Sequence, residues 1–288
     1  MKTYLVTGAS GTVGSCVVQG LLAGGAEVRA MTSRKERAGQ REGQVQWVHA
    51  DLGTGAGVAQ AFEGVQRAFL LAPPGYADQN AVLRPLLDEA KRRKLEKVVL
   101  MSALGANAVE TAPLRQAEIA LEQSGLRYAI VRPNWFMQNF HTFWLHGINT
   151  QGKILLPAGK AKTSFIDTRD IADVAVRLLT SDDLPDQAFD ITGPEALDHD
   201  EVAAILSRVT GKAIRYEEIT PQQMNEALLA AGLPADYAAF LVTILGFLAQ
   251  GYSAGVNDAV QRLTGHPARR FEAYAQEHRA VWQPPTAA

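Results

Sequence analysis

Apolar residues fall along this chain in two rhythms. Short runs dense in apolar and β-branched residues recur at Tyr4–Thr7, Glu27–Met31, Val45–Val48, Arg67–Leu71, Lys97–Met101 and Arg127–Val131. Between most of them lie longer stretches with a helical repeat of apolar positions, such as Val13–Ala23, Gln79–Arg93 and Leu114–Gln123. The first rhythm predicts strands and the second amphipathic helices. Strands alternating with helices predict a parallel sheet covered on both faces. Right-handed crossovers make it a Rossmann-type, doubly wound α/β sheet, with ligands at the carboxyl ends of its strands.

After Pro133 the rhythm changes. Trp135 to His146 is rich in aromatics and reads as a helix or a loop and helix. Lys153–Pro157 and Lys162–Ile166 read as a hairpin, and Asp170 as the N-cap of a helix over Ile171–Leu179. Val202–Val209, Gln222–Ala231 and Tyr237–Ala249 predict further helices, and Gly265-His266-Pro267 a turn before the last one. The division expected is a dinucleotide-binding domain over residues 1–133 and a smaller, mostly helical substrate lobe over 134–288 that does not fold alone. The helix over 168–180 is expected to return to the first domain. There is no internal repeat and no low-complexity linker, and Pro284–Ala288 reads as a frayed tail.

Composition narrows the class. With 28 basic against 30 acidic residues the chain lacks the basic stripe that displaces counterions from nucleic acid, so no nucleic-acid partner is expected. Lys91-Arg92-Arg93-Lys94 reads as a solvated helix end, where cations suit the dipole. Cys16 is the sole cysteine, so no intrachain disulfide can form; it reads as a small core residue. A strand pattern begins at Thr3, leaving no room for a signal peptide, and Tyr237–Ala249 is shorter than the ~20 residues a membrane span needs. A soluble, cytoplasmic monomer or homodimer is expected, with no membrane partner.

The chemistry begins directly after the first strand. Thr7-Gly8-Ala9-Ser10-Gly11-Thr12-Val13-Gly14 has glycine at every third position and opens the first helix. Gly8 permits the turn, Gly11 lets backbone approach a pyrophosphate, and Gly14 lets helix and sheet come close. The pyrophosphate would lie on free N–H groups at the helix N-terminus. At the tip of the second strand an acid would bind the ribose of NAD, but Ser33-Arg34 stands there. A hydroxyl and a guanidinium suit a 2′-phosphate, so NADP(H) is the cofactor expected. Asp51 can reach an adenine amino group while Leu52 packs the ring; capping its own loop is the competing role for Asp51. Ala72-Pro73 and Ser102-Ala103 end the fourth and fifth strands, where a nicotinamide riboside would cross. The cofactor contacts expected are Gly8, Ser10, Gly11, Thr12, Val13, Ser33, Arg34, Asp51, Leu52, Ala72, Pro73, Ser102, Ala103 and Pro133.

These residues together resemble the short-chain dehydrogenase/reductase superfamily in its atypical NmrA-like branch. Further matches are Ser124-Gly125-Leu126, Val131-Arg132-Pro133-Asn134-Trp135-Phe136, Phe165-Ile166-Asp167 with Asp170-Ile171-Ala172, and Thr264-Gly265-His266-Pro267. The chain is similar to NADPH-dependent quinone reductases and triphenylmethane-dye reductases. NmrA-like regulators share the fold. Most superfamily enzymes carry Tyr-x-x-x-Lys, whose lysine lowers the tyrosine pKa. Here the residues four beyond Tyr4, Tyr76, Tyr128, Tyr216, Tyr237, Tyr252 and Tyr274 are Gly8, Asn80, Arg132, Thr220, Leu241, Val256 and His278. In family register, Glu110 and Leu114 replace the pair. That argues against sugar epimerases and ordinary alcohol dehydrogenases.

The resemblance implies a reductase that needs no such relay. Hydride transfer requires a nicotinamide face and an electrophile held against it. The expected function is NADPH-dependent reduction of a small, apolar, electron-poor substrate: a quinone, an iminium, an enone or a dye. The alternative is a non-catalytic NADP-sensing regulator acting through a protein partner. Trp135, Phe136, Met137, Phe140 and His141 are the candidate pocket wall, with Phe143 and Trp144 beyond them. Ser102 and Tyr76 are the candidate proton donors by strand-end placement, and no metal site is expected.

Overall fold

The computed structural model describes residues 2–283, so the Pro284–Ala288 tail lies outside the described residues. The chain divides into two compact units. The first comprises Met1–Pro133 and Thr168–Ile191, the second Asn134–Asp167 and Thr192–Ala288.

The first unit is a sheet between helices. Its strands are β1 (Thr3–Val6), β2 (Glu27–Thr32), β3 (Arg41–Glu42), β4 (Val45–His49), β5 (Arg67–Leu70), β6 (Lys97–Met101) and β7 (Arg127–Pro133), with β9 (Gln187–Ile191) from the later segment. Its helices are α1 (Thr12–Ala23), α2 (Val58–Ala61), α3 (Gln79–Arg92), α4 (Pro113–Glu122) and α6 (Thr168–Thr180). The sheet order is β3-β4-β2-β1-β5-β6-β7-β9, and every pairing is parallel except β3 with β4. Strand order reverses between β1 and β5, the place where doubly wound sheets bind ligands.

The burial explains the strand type. In β5 all four residues, Arg67 included, are buried, and β6 is buried through Leu100. Continuous apolar runs are what a sheet covered on both faces demands. The two cations that open these strands are used at the lower rim. Arg67 donates to Leu179 O at 2.9 Å and to Asp182 at 2.6 Å, and Lys97 donates to Ser181 O at 2.9 Å. They satisfy carbonyls at and just beyond the end of α6, which lack partners along the helix itself.

In this unit one expected cap is corrected and one strand joins the sheet that was not expected. Asp170 is not the N-cap of α6: the helix starts at Thr168, so Asp170 lies buried in its first turn, where an acid suits the dipole. The strand β9 was not anticipated, because Gln187-Ala188-Phe189-Asp190-Ile191 is too polar at its exposed edge to stand out.

The second unit contains α5 (Leu145–Gln151), β8 (Lys153–Leu156), α7 (His199–Thr210), β10 (Arg215–Glu218), α8 (Pro221–Ala230), α9 (Ala235–Ala249), α10 (Ala259–Thr264) and α11 (Phe271–Glu277). The expected hairpin does not form. β8 pairs in parallel with β10, from Lys153↔Arg215 to Leu156↔Glu218. Parallel partners need a helical crossover, which α7 supplies just before β10. Lys162–Ile166 makes isolated bridges instead, Thr163 to Leu197 and Ile166 to Phe136. Gly265 ends α10 in the left-handed conformation, as a turn there requires. Among the described residues no helix is long and apolar enough to cross a membrane.

The core of the second unit is aromatic. Phe140, Trp144, Phe165, Phe271, Tyr274 and Trp282 are buried together. His199, wholly buried, stands among Phe140, Trp144, Phe165 and Tyr216, with ring centroids 5.4–6.2 Å away. Neither of its ring nitrogens has a hydrogen-bond partner. Burial pushes its pKa down to about 4, so the native ring is neutral.

Candidate functional site

The loop between β1 and α1 is built as its glycines suggest. Gly8 has φ +60°, the left-handed region, and a side chain there would also meet Leu71 Cδ1 at 2.7 Å. A Cβ at Gly14 would stand 2.1 Å from the Gly8 carbonyl oxygen, so Gly14 sets how closely α1 approaches the loop. Gly11 is the N-cap of α1, donates to Gly8 O at 2.8 Å, and carries no capping side chain. No acidic residue occupies the first turn. The α1 N-terminus therefore offers amide donors with no side-chain acceptor of its own, flanked by exposed Ser10, Gly11 and Thr12 and anchored by buried Val13.

Thr7 ties this loop to the next strand end. Its buried hydroxyl accepts from Leu71 N–H at 2.7 Å and donates to Leu71 O at 3.2 Å. Ala72 and Pro73, just beyond, are half-buried. Thr7 was absent from the expected contacts. A threonine closing an otherwise apolar strand is the signal that would have marked it.

At the tip of β2, Ser33 and Arg34 are exposed, and the Arg34 amide is fixed by a 3.1 Å bond to the Thr32 hydroxyl. Asp51 follows β4. Its Oδ1 accepts from the Gly53 amide at 2.9 Å and the Thr54 amide at 3.3 Å, so this oxygen is engaged in capping its own turn. The Thr54 hydroxyl and these amides hold the carboxyl below the usual carboxylate range. Leu52 is partly buried against the sheet's core.

The two candidate proton donors differ in exposure, Tyr76 lying at the surface and Ser102 inside. The Tyr76 hydroxyl lies near Gly53, 3.4 Å from where a Cβ would be, on the same side of that residue as Asp51 Oδ1, which is 3.3 Å from the same point. Ser102, at the end of β6, is buried, and its Oγ has no hydrogen-bond partner. Beneath it lies a charge pair that the sequence reading passed over. Arg132 of β7 donates to both oxygens of the wholly buried Glu118, at 2.8 and 2.7 Å. Arg115 adds a 3.1 Å bond. Burial alone would raise the Glu118 pKa, but Arg132, the nearby Ser102 hydroxyl and Arg115 outweigh it and keep the carboxylate charged. The Ser102 hydroxyl approaches Glu118 without meeting hydrogen-bond geometry. An arginine inside the run Ala129-Ile130-Val131-Arg132 demanded a buried partner, and that demand was the available signal. Backbone bonds from Ser102 N to Val131 O (2.8 Å) and from Leu104 N to Pro133 O (3.0 Å) hold half-buried Ala103 beside buried Pro133.

In the second unit the expected pocket wall divides. Met137 and Phe140 are wholly buried core residues and cannot face a ligand; Trp144 is buried with them. Trp135 and Phe136 are half-buried, and Phe143 is exposed. His141 is half-buried, with its Nδ1 2.6 Å from the Tyr274 hydroxyl.

A glycine-lined turn at the switch point of a parallel sheet, leading into an uncapped helix, defines the Rossmann-type dinucleotide-binding class. The chain belongs to the NmrA-like family, whose model matches residues 1–262, and is an oxidoreductase of it. It is 35% identical over 280 residues to the oxidoreductase YesF of Bacillus subtilis, itself uncharacterized, covering 96% of each chain. It is 33% identical over 283 residues to the NAD(P)H azoreductase of Xenophilus azovorans, covering 96% of this chain and 98% of that one. In fold it resembles the Citrobacter sp. triphenylmethane reductase solved with NADP(H): TM-score 0.81, 21% identity, 96% of this chain and 99% of that one covered.

Proposed function

We propose that this protein reduces a small, apolar, electron-poor acceptor with NADPH, without a tyrosine–lysine relay. The observation that carries the reading is the α1 N-terminus: its amides lack a capping side chain or a first-turn acid, and Gly14 brings the helix against the Gly8 carbonyl. An anionic pyrophosphate is the ligand such an end favours. Arg34 supplies the 2′-phosphate contact that distinguishes NADP from NAD. Among the described residues its side chain has no ion-pair or hydrogen-bond partner, and it is free to fork onto a phosphate. The similarity to the NAD(P)H azoreductase supports a nicotinamide cofactor and this acceptor class, and the dye reductase solved with NADP(H) supports the phosphorylated form.

When bound, the cofactor supplies the hydride. The chain's own residues bind and orient. Thr7 and Leu71 keep the glycine loop and the Ala72-Pro73 loop at one sheet edge. Ser102, Ala103 and Pro133 form the next edge, held by the buried Glu118–Arg132 pair. With Leu114 where most of the superfamily carries its lysine, the proton that completes reduction of a neutral acceptor comes from solvent, and a cationic dye needs none. The test is acceptor-dependent NADPH oxidation across quinones, imines, enones, azo compounds and triphenylmethane dyes. Turnover with at least one class is expected. No turnover with any class, together with saturable cofactor-dependent binding of a protein, would replace this reading with the regulator.

A further inference from the structure

The segment after β2 holds four basic residues, and the structure treats them differently. Arg34 and Lys35 are exposed, and among the described residues neither side chain is paired. Arg37 is half-buried, its guanidinium carbon 3.5 Å from the centre of the Trp47 ring, and its Nη2 donates to Glu42 at 2.9 Å. Arg41 donates to the Gly43 carbonyl and lies 3.9 Å from Glu27. Two of the four cations are therefore committed to Arg37's and Arg41's own neighbours, and two are left for a ligand.

The committed Arg37 sits where it controls the free pair. Its amide donates to Arg34 O at 3.2 Å, and the Ala38 amide donates to Lys35 O at 3.1 Å, closing a 3-10 turn over Lys35–Arg37. That turn is then tied to β4. Gly39 N donates to Trp47 O at 3.0 Å, and Trp47 N donates to Gln40 O at 2.9 Å. Trp47 is 6% exposed and pairs with Ala30 of β2, so it belongs to the rigid sheet. Its face is what it contributes here, because its buried Nε1–H has no acceptor. A guanidinium flat on an indole, with an acid on its edge, loses little further freedom and has its charge largely answered.

We infer that Arg37 is a positioning residue for cofactor choice: clamped between Trp47 and Glu42, it fixes the turn that presents Arg34 and Lys35 to the 2′-phosphate. This rests on the NADP reading above. The clamp pre-orders two long side chains' backbone before the ligand arrives, which lowers the ordering cost of binding. It predicts an effect confined to the 2′-phosphate, which a general loss of stability would not produce.

The test uses calorimetry on the full chain with adenosine 2′,5′-bisphosphate and 5′-AMP as probes. The wild type should prefer the bisphosphate. Arg37→Ala should weaken the bisphosphate about three- to tenfold and leave 5′-AMP unchanged, the size expected when a loop must be ordered on binding. Glu42→Gln, at an exposed acid, should shift the same ratio by less and carries the test without opening the core. In an Arg34→Ala/Lys35→Ala background, Arg37→Ala should have no further effect, because it acts through them. The inference is overturned if neither Arg37→Ala nor Glu42→Gln moves the ratio. It is equally overturned if Arg37→Ala costs the same in both backgrounds, which would make Arg37 a direct phosphate ligand. A wild type that does not distinguish the probes overturns the NADP reading itself, and the inference with it.

Discussion

The first unit buries Arg67, Lys97, Glu118 and Arg132, and each of the four is hydrogen-bonded; the second buries His199 with neither ring nitrogen bonded. The difference follows from architecture. A parallel sheet ends in rims where helix carbonyls and strand ends need partners, and buried ions are placed there and paired. The second unit closes an aromatic core around the first turn of α7, and its histidine is accommodated by staying neutral. The second unit also buries Asp167, which accepts from Gln138 at 3.0 Å, so the contrast lies between the first unit's four paired ions and His199, which stays uncharged. Acid should reach the two at different pH values.

The largest effect should come from breaking the charge pair. Arg132→Met leaves Glu118 buried with Arg115 alone, and uncompensated buried charges of this kind typically cost about 3–5 kcal/mol. Urea unfolding would measure it; a loss below about 1 kcal/mol would mean the pair is better solvated than its burial implies. Next comes acid. His199 has a folded pKa depressed to about 4, below its ordinary value, so its neutral form is favoured by the fold. Stability from this residue is complete above about pH 6.5, falls as the unfolded chain takes up its proton, and levels off below about 4. The loss amounts to roughly 3 kcal/mol. His199→Leu should flatten that slope, and parallel pH profiles for variant and wild type would contradict the assignment. Glu118, held low instead, should add its own loss only at lower pH, within and below the usual carboxylate range.

Two smaller effects probe the ligand side of the first unit. Arg34→Ala should weaken NADPH about ten- to a hundredfold, the worth of a charge-assisted hydrogen bond, and leave NADH nearly unchanged. Equal binding of NADH and NADPH by the wild type would remove the basis for that difference. Ser102→Ala should be smallest. Its hydroxyl makes no hydrogen bond, so a loss in kcat under about tenfold is expected, whereas a general acid would cost about 10²–10⁴.

The same contrast explains what the sequence disclosed. Gly8 and Gly14 announce their roles because backbone geometry permits few alternatives there: Gly8 makes a left-handed turn and Gly14 leaves no room for a side chain against the Gly8 carbonyl. The strands from β1 to β7 that carry continuous apolar runs were legible for the same reason. β9 and β10 were not, since edge strands with exposed polar faces carry no such run. The aromatics after Pro133 were visible as a cluster, but which of them are core depends on contacts with Phe165, Phe271 and Trp282, far along the chain. Met137 and Phe140 went inside for that reason. The Arg37 clamp needed Trp47 and Glu42 to be brought together by β3 and β4, which no local spacing shows.

The most direct measurement of the central claim is label transfer from NADPH deuterated stereospecifically at the nicotinamide C4. With an acceptor that takes hydride on carbon (an iminium, an enone or a triphenylmethane dye), deuterium is expected on that carbon of the reduced product, delivered from one nicotinamide face, with solvent supplying any proton. It also predicts that Gly11→Val, which puts a branched side chain at the α1 N-cap, abolishes both the transfer and calorimetric NADPH binding in a folded protein. Unlabelled product, or unchanged NADPH affinity in folded Gly11→Val, would contradict it.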